Sequence, residues 1–433
     1  MLNLIKSVGF DFVFKTLALI LSFIQVPLLI DALGKDFYGF WVLLFSIIQW
    51  MILFDFGIGN GLRNIIPNLV AKGQIDRISS YLYTSTFLLF IISVIGLAIT
   101  FIFIKFLDYS WFGLITEPDW FLNVLYVFAI LFYVFLSLSI IKPIAYIIHK
   151  PYLLSFMSLI QSVFILGTIL ILKDTSDTVG SLMIVLLLVC IFSNVLGSVI
   201  ICFYAANHFK HLFVGDFVFS KLAMIDILKR SFDLFVLQLV FLGTYCIDNF
   251  MVANYYSAAD VTEYSIAVKV YSMYTFFIGI IISPLWNKFL EFISDGNFDN
   301  AKSLVYLYLK IYIASVPLLL LSIYFVDYIV IFWVGHNVIT NLNYLPFALF
   351  YMTLGLGMIN SAILNALEIV KIQWVLGLLV VLFKISLFPL FSSFSSNPQS
   401  SDLMWFSFIL LFPVTIFMFI LMNLKLREVN KYT

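Results

Sequence analysis

Long apolar runs separated by short polar connections make up most of the chain. About twelve of these runs reach the roughly 20 residues that a helix needs to cross a hydrocarbon core about 30 Å thick. Backbone groups in lipid must hydrogen-bond within their own element, and the runs are too long for barrel strands, so each run predicts a transmembrane helix. The predicted spans are 10–30, 39–58, 80–104, 121–141, 153–172, 179–203, 232–254, 264–285, 303–326, 345–366, 372–391 and 403–424.

Two short motifs recur along the chain at nearly the same separation. Phe10-Asp11 recurs as Phe232-Asp233, 222 residues later, and the turn Gly-Gln-Ile-Asp at 73–76 recurs 223 residues later as Gly-Asn-Phe-Asp at 296–299. A similar series of apolar runs follows each copy. The pattern predicts a duplicated helical bundle, the construction with which secondary transporters form a binding site between two halves.

The longest polar connection divides the predicted spans into two sets of six. We therefore expect an N-terminal six-helix lobe at 1–207, a cytoplasmic linker at 208–230 and a C-terminal six-helix lobe at 231–433. Because six is an even number, the two repeats have the same topology and are related by an axis along the membrane normal.

Composition agrees with an all-α polytopic membrane protein. Hydrophobic residues make up 63% of the chain and charged residues 11%, which excludes an ordinary soluble domain. When the spans alternate from a cytoplasmic start, sixteen basic residues fall inside and only Lys35, Lys105 and Lys173 outside. This bias predicts that both termini are cytoplasmic. The net charge of zero hides this sidedness and says nothing about partners; no nucleic-acid partner is expected.

Four lysines fall inside the predicted spans. A cation near the centre of a membrane helix costs about 2.5–3.5 kcal/mol on insertion scales, so each needs a reason to be there. One interpretation is that they face a wet cavity and attract an anionic substrate. The alternative is that their side chains extend to the headgroups, which fits Lys15 and Lys310 better than Lys384. These lysines are Lys15, Lys269, Lys310 and Lys384.

Two aspartates lie at depths that match two of these lysines. Asp248 and Lys269 are similarly deep on adjacent antiparallel helices, and Asp55 and Lys15 are similarly placed toward the inner side. Each couple is predicted to form a charge pair, either purely structural or one that opens during transport. The remaining excess of lysine favours an anionic substrate over a cationic drug.

Prolines and glycines interrupt several spans. In transporters, broken helices mark hinges or substrate sites, whereas the alternative is an ordinary kink packed by its neighbours. The predicted hinge residues are Pro27, Gly57, Gly59 and Pro284.

The chain shows no catalytic constellation. His208 and His211 stand three residues apart on the predicted linker, but without further ligands they predict no metal site. No large external loop carries acidic or arginine-rich motifs. We therefore expect a protein that is not an enzyme and that needs no cofactor. Transport could be coupled to protons or to sodium, and either Asp55 or Asp248 could carry the coupling ion.

The N-terminal region resembles one transporter family. The resemblance rests on Leu-Gly-Lys-Asp-Phe-Tyr-Gly at 33–39, Trp50, Phe-Asp-Phe-Gly at 54–57 and Asn-Gly-Leu-Arg-Asn at 60–64. These residues are similar to the start of Wzx-type flippases, the O-antigen and capsule repeat-unit translocases of the multidrug/oligosaccharidyl-lipid/polysaccharide (MOP) exporter superfamily. Helix number, duplication and short loops agree with that family along the whole length.

The resemblance implies two six-helix bundles in a V around a central cavity, as in multidrug and toxic compound extrusion (MATE) transporters. It implies translocation of undecaprenyl-diphosphate-linked oligosaccharide from the cytoplasmic to the periplasmic leaflet of the bacterial inner membrane. Lys15 and Lys269 stand on the helices whose cations contact the diphosphate in related lipid II flippases. Other polysaccharide assembly proteins are candidate partners. The alternatives are a cation- or proton-coupled multidrug or small-molecule antiporter of the same fold, and a membrane scaffold.

Overall fold

The computed structural model describes residues 2–429 except 56–57, 60–61, 63–64, 67–68, 70–73, 75, 115–117, 148–149, 151, 174–177, 209–217, 283–284, 295–296, 336–341, 368, 370 and 394–397. Within this part of the chain the regular elements are helices. The α-helices are α1 Leu2–Leu33, α2 Lys35–Phe54, α3 Asp76–Phe103, α4 Phe121–Ser137, α5 Ile141–Ile147, α6 Tyr152–Leu172, α7 Val179–His208, α8 Lys221–Tyr245, α9 Asp248–Tyr255, α10 Ala258–Ile282, α11 Leu285–Ser294, α12 Phe298–Ser322, α13 Val326–Val334, α14 Leu345–Ala366, α15 Lys371–Ser392 and α16 Ser401–Val429.

Nine helices of the described residues are long and apolar enough to cross a membrane, and they coincide with nine of the predicted spans. Their outward faces are apolar: Ile102 is 63% exposed and Leu318 69% exposed, as expected for side chains that meet lipid rather than water. The other three predicted spans fall on α2, on α8 with α9, and on α10. The chain is therefore an all-α, multi-pass membrane protein.

The chain divides into two compact units, Met1–Leu242 and Gly243–Thr433. In the first, α1 packs along α6, α6 along α7, and α4 lies between α3 and α7. Gly34 separates α1 from α2 with a positive φ of 81°, a backbone conformation that glycine adopts without a steric penalty. Phe40, Phe112 and Phe121 meet edge to face in the core beside this turn.

In the second unit, α14 is the central helix. It packs against α16 and α10, and α12 and α11 cover it further along. The core here joins Ile278 and Leu285 to Ile359, Ile363 and side chains of α12 and α16. Both copies of the repeated turn precede a membrane helix, because α3 begins at Asp76 and α12 at Phe298.

The start of α8 is tied to α3 within the first unit. The Tyr81 hydroxyl donates to Asp226 at 3.0 Å, and the Ser220 backbone N–H donates to Thr84 Oγ1 at 3.0 Å. The ring of Phe219 packs edge-on against Phe87. The predicted linker is thus helical from Lys221 onward, and the lobe boundaries at 207 and 231 stay a prediction.

Candidate functional site

The predicted seventh span is interrupted in the structure. Instead of one helix over 232–254, α8 ends at Tyr245 and α9 begins at Asp248, with Cys246 and Ile247 between them. A helix end exposes backbone groups that have no partner within the helix, so an interruption inside a membrane protein needs compensating donors and acceptors.

Three side chains surround this interruption within the second unit. The Lys384 ammonium contacts Asp248 Oδ1 and donates to the Thr244 backbone carbonyl at 3.0 Å. The Tyr264 hydroxyl donates to Asp248 Oδ2 at 2.8 Å. Lys384 is 1% exposed, Asp248 5% and Tyr264 1%. The result is a buried ion pair in which Asp248 Oδ1 contacts the ammonium and Oδ2 accepts a hydrogen bond from Tyr264.

This geometry corrects one sequence-based prediction. Asp248 was expected to pair with Lys269 because the two lie at similar depth on neighbouring helices, but the ion pair of Asp248 is made by Lys384 of α15. The reason is close packing between α15 and the end of α8: a Cβ on Gly243 would stand 2.3 Å from Val381 Cγ1. Lys384 follows Val381 by three residues and so lies on the same face of α15.

Lys269 lies instead on the other side of α10. Tyr264 and Tyr271 are buried and pack against Phe347 of α14. At 100° per residue, Lys269 stands about 140–160° around the helix from those two tyrosines. Its neighbours one turn away are Ser265 and Ser272 toward one edge, which are partly buried like Lys269, and Ile266 and Met273 toward the other. Lys269 and the two serines form a short polar stripe on α10, on the side roughly opposite Tyr264 and Tyr271.

Lys310 is exposed on the outer face of α12. It is accompanied there by the exposed apolar side chains of Tyr306, Leu307 and Ile313, which are 51–63% exposed. An ammonium on a long stem among lipid-facing side chains matches the expectation for a lysine that extends toward the headgroups.

The first unit holds lysine–aspartate pairs of its own, and one of them involves Lys15 of α1. Lys15 Nζ lies 2.6 Å from Asp11 Oδ2, one turn earlier on α1, and the Ser155 hydroxyl of α6 donates to Asp11 Oδ1 at 2.5 Å. The Lys15 side chain is 56% exposed. The predicted pairing of Lys15 with Asp55 is thus wrong, because the carboxylate beside this ammonium is one turn away on its own helix.

Of Asp55 and the predicted hinges, some lie within the described residues and others do not. Asp55 follows α2, and its carbonyl accepts from the Ile58 N–H at 2.8 Å. A Cβ on Gly59 would lie 3.4 Å from Asp55 Oδ2, so these two residues are neighbours. Pro27 lies inside α1, which is assigned as one helix through it. Gly57 and Pro284 lie outside the described residues.

Several residues of these clusters are absent from the sequence-based predictions. Asp11 had a readable signal, because it stands four residues before Lys15, the spacing at which opposite charges meet on a helix. Ser155, Thr244 and Tyr264 had none, since their partners come from elsewhere in the chain. In the described part of the chain, no three His, Cys, Asp or Glu side chains are grouped so that they could hold a metal ion; His211 lies outside that part.

Comparison with solved structures identifies the architecture. An inward-facing multidrug resistance MATE family transporter of the MOP superfamily matches with a TM-score of 0.79, covering 96% of this chain and 95% of that one at 13% identity. The chain has the MATE fold. A MOP superfamily transporter from Pyrococcus furiosus, described by the reverse polarity of its binding pocket, matches with a TM-score of 0.68, covering 98% and 96% of the two chains at 12% identity.

Sequence comparison gives a curated relative. A Yersinia pseudotuberculosis protein named "Putative O-antigen export protein" is 24% identical over 307 residues, which is 66% of this chain. The aligned region spans 65% of that relative's length. No protein-family model matches the chain. The expected resemblance to O-antigen export proteins with a MATE-like bundle is confirmed by these two kinds of similarity.

Proposed function

We propose that the chain translocates a lipid-diphosphate-linked oligosaccharide, such as an O-antigen or capsule repeat unit, between the leaflets of the bacterial inner membrane by alternating access. The observation that carries this proposal is the 307-residue similarity to a protein named for O-antigen export, in a chain whose fold is that of membrane transporters. Such a substrate combines a long lipid with an anionic diphosphate, so its translocator needs cations away from bulk water.

Lys269 is the best candidate to meet the diphosphate. It lies on the side of α10 roughly opposite Tyr264 and Tyr271, which pack against Phe347 of α14. The hydroxyls of these serines bond to carbonyls of their own helix, Thr262 O at 2.9 Å and Lys269 O at 2.8 Å. The serines are therefore compact polar neighbours of Lys269, whose ammonium is the charged group of the stripe.

Lys15 is the second candidate. Its ammonium pairs with Asp11 at 2.6 Å, yet the side chain is 56% exposed. A pair in so exposed a position contributes little net free energy, so the ammonium can turn to a phosphate without a large loss. Asp11 stays held by Ser155 in either case. We do not expect Lys384 to bind substrate, because its ammonium is paired with the Asp248 carboxylate. Lys310 is exposed on the lipid-facing side and serves as the comparison residue.

The proposal is tested by genetic complementation. A strain that lacks its own O-antigen translocase receives the tagged wild-type protein, Lys269→Ala, Lys269→Arg or Lys310→Ala, together with the glycosyltransferases for one repeat unit. Surface polysaccharide is measured by gel, and protein level by the tag. We expect Lys269→Ala to lower surface polysaccharide at normal protein level, Lys269→Arg to restore most of it and Lys310→Ala to match wild type.

The same strains distinguish the antiporter. If the wild-type protein leaves surface polysaccharide at the level of the empty vector for every repeat unit supplied, the flippase proposal is refuted. Resistance to cationic dyes in those cells would then identify a drug antiporter. Normal polysaccharide in cells carrying Lys269→Ala would remove this lysine from the mechanism while leaving the function in place.

A further inference from the structure

The interruption between α8 and α9 presents a set of oxygen atoms around one point. The Thr244 carbonyl belongs to the last turn of α8, and the Asp248 carboxylate opens α9. The hydroxyl of Tyr264 completes the group through its bond to Asp248 Oδ2. Carbonyls at the end of a broken membrane helix, combined with a carboxylate, are the ligands with which transporters hold sodium.

In this chain the centre of the group is filled by an ammonium. Lys384 Nζ contacts Asp248 Oδ1 and donates to the Thr244 carbonyl at 3.0 Å. Its side chain is 1% exposed, so it reaches the group through the protein interior and not from solvent. The close approach of Val381 to Gly243 fixes the stretch of α15 from which it extends.

We propose that this interruption is a monovalent-cation site whose cation is the chain's own Lys384 ammonium. The lysine supplies the positive charge that a buried carboxylate requires and the donor that the freed carbonyl requires. A protein built this way needs no alkali ion at Asp248. When the ammonium is removed, the oxygen atoms of Thr244 and Asp248 become a site for Na⁺.

This inference changes the expectation for energy coupling. Asp248 is one of the two aspartates that could carry a proton or a sodium ion, and its carboxylate already contacts the Lys384 ammonium and accepts from the Tyr264 hydroxyl. Asp55 remains as the other candidate. The inference concerns the ion and holds whatever molecule is transported, so the tests below do not depend on the proposed function.

The experiment measures thermal unfolding of the purified full chain in detergent. Each variant is heated in about 150 mM NaCl and in choline chloride of equal ionic strength, because an ion that binds only the folded state raises the unfolding midpoint. We expect equal midpoints in the two salts for wild type. For Lys384→Ala we expect a midpoint roughly 2–4 °C higher in NaCl, the shift that a binding term of about 1 kcal/mol gives a unit of this size.

The matched control removes the carboxylate as well. Asp248→Asn/Lys384→Met has no charge at the site and is expected to unfold at the same temperature in both salts. A Lys384→Ala protein with no sodium response, or a double variant with the same response as Lys384→Ala, would overturn the proposal. A wild-type protein whose sodium response exceeds that of the double variant would also overturn it. If Lys384→Ala does not fold in either salt, this comparison of wild type with the double variant is the test.

Discussion

Each unit contains a lysine–aspartate pair in a membrane helix, but the two pairs differ in surroundings and in what they can do. In the second unit Lys384 and Asp248 come from different helices and are 1% and 5% exposed. In the first unit Lys15 and Asp11 are one turn apart on α1, and the lysine side chain is 56% exposed. The same two residue types thus form an interior crosslink in one place and a local surface pair in the other.

The difference shows why a count of intramembrane lysines does not identify a substrate site. A buried pair cannot release one partner without leaving a charge in a medium of low dielectric constant, so removing either partner alone is costly. An exposed pair exchanges its partner at little cost, so its lysine can serve a passing anion. Burial distinguishes Lys384, inside the second unit, from the exposed Lys310 and Lys15, and we propose Lys15 and Lys269 as the lysines that contact substrate.

The largest expected effect comes from breaking the buried pair. In sodium-free buffer, Lys384→Ala should lower the free energy of unfolding by about 3–5 kcal/mol, because it leaves the Asp248 carboxylate buried without its counter-ion. Thermal unfolding monitored by circular dichroism measures the loss. Asp248→Asn/Lys384→Met serves as the control and should lose less than Lys384→Ala. Equal midpoints for Lys384→Ala and wild type would show that this pair does not hold the second unit together.

A smaller loss is expected from separating the helices that carry the pair. Gly243→Ala places a methyl group 2.3 Å from Val381 Cγ1, so α15 must shift and overpacking should lower stability by about 1–3 kcal/mol. Gly167→Ala in α6 is the matched control, because a Cβ there meets nothing within 4 Å. That change should be neutral or stabilise by up to about 1 kcal/mol. If Gly243→Ala and Gly167→Ala unfolded at the same temperature, the approach of α15 to Gly243 would not constrain the pair.

The smallest effect is expected in the first unit. Ser155→Ala removes the hydroxyl that donates to Asp11 at 2.5 Å and should lower stability by about 1 kcal/mol. Ser158→Ala is the control, since that hydroxyl bonds the Leu154 carbonyl of its own helix at 3.2 Å and is exposed. Unfolding in the same detergent compares the two. A loss for Ser155→Ala as large as that for Lys384→Ala would refute the contrast between the pairs.

Much of the fold follows from sequence because each span carries its own signal. Apolar length predicts a membrane helix without reference to other segments, and nine described helices coincide with predicted spans. The interruption at Cys246 and Ile247 carries no such signal, since neither residue is a proline or glycine. What stabilises it there is Lys384, a residue 140 positions from Thr244.

In the candidate site, too, the sequence predicts single positions better than it predicts contacts between distant segments. The lysines are recognisable because a charge inside an apolar run is visible in the sequence itself. Their partners were assigned by depth, and depth alone does not decide which neighbouring helix comes closest to Asp248. The pairing of Lys15 with Asp11 was readable from the four-residue spacing, whereas the pairing of Lys384 required the packing of α15 against Gly243.

The central claim is that the lysine of the α10 stripe meets the anionic substrate and the buried pair does not. Surface polysaccharide in the translocase-deficient strain tests it, with Lys269→Ala and Asp248→Asn/Lys384→Met compared at equal protein level. We predict a decrease of about tenfold or more for Lys269→Ala, from the 1.5–3 kcal/mol that a hydrogen bond to a charged group contributes. The double variant should retain export close to wild type. Normal export with Lys269→Ala, together with lost export in the folded double variant, would contradict the account.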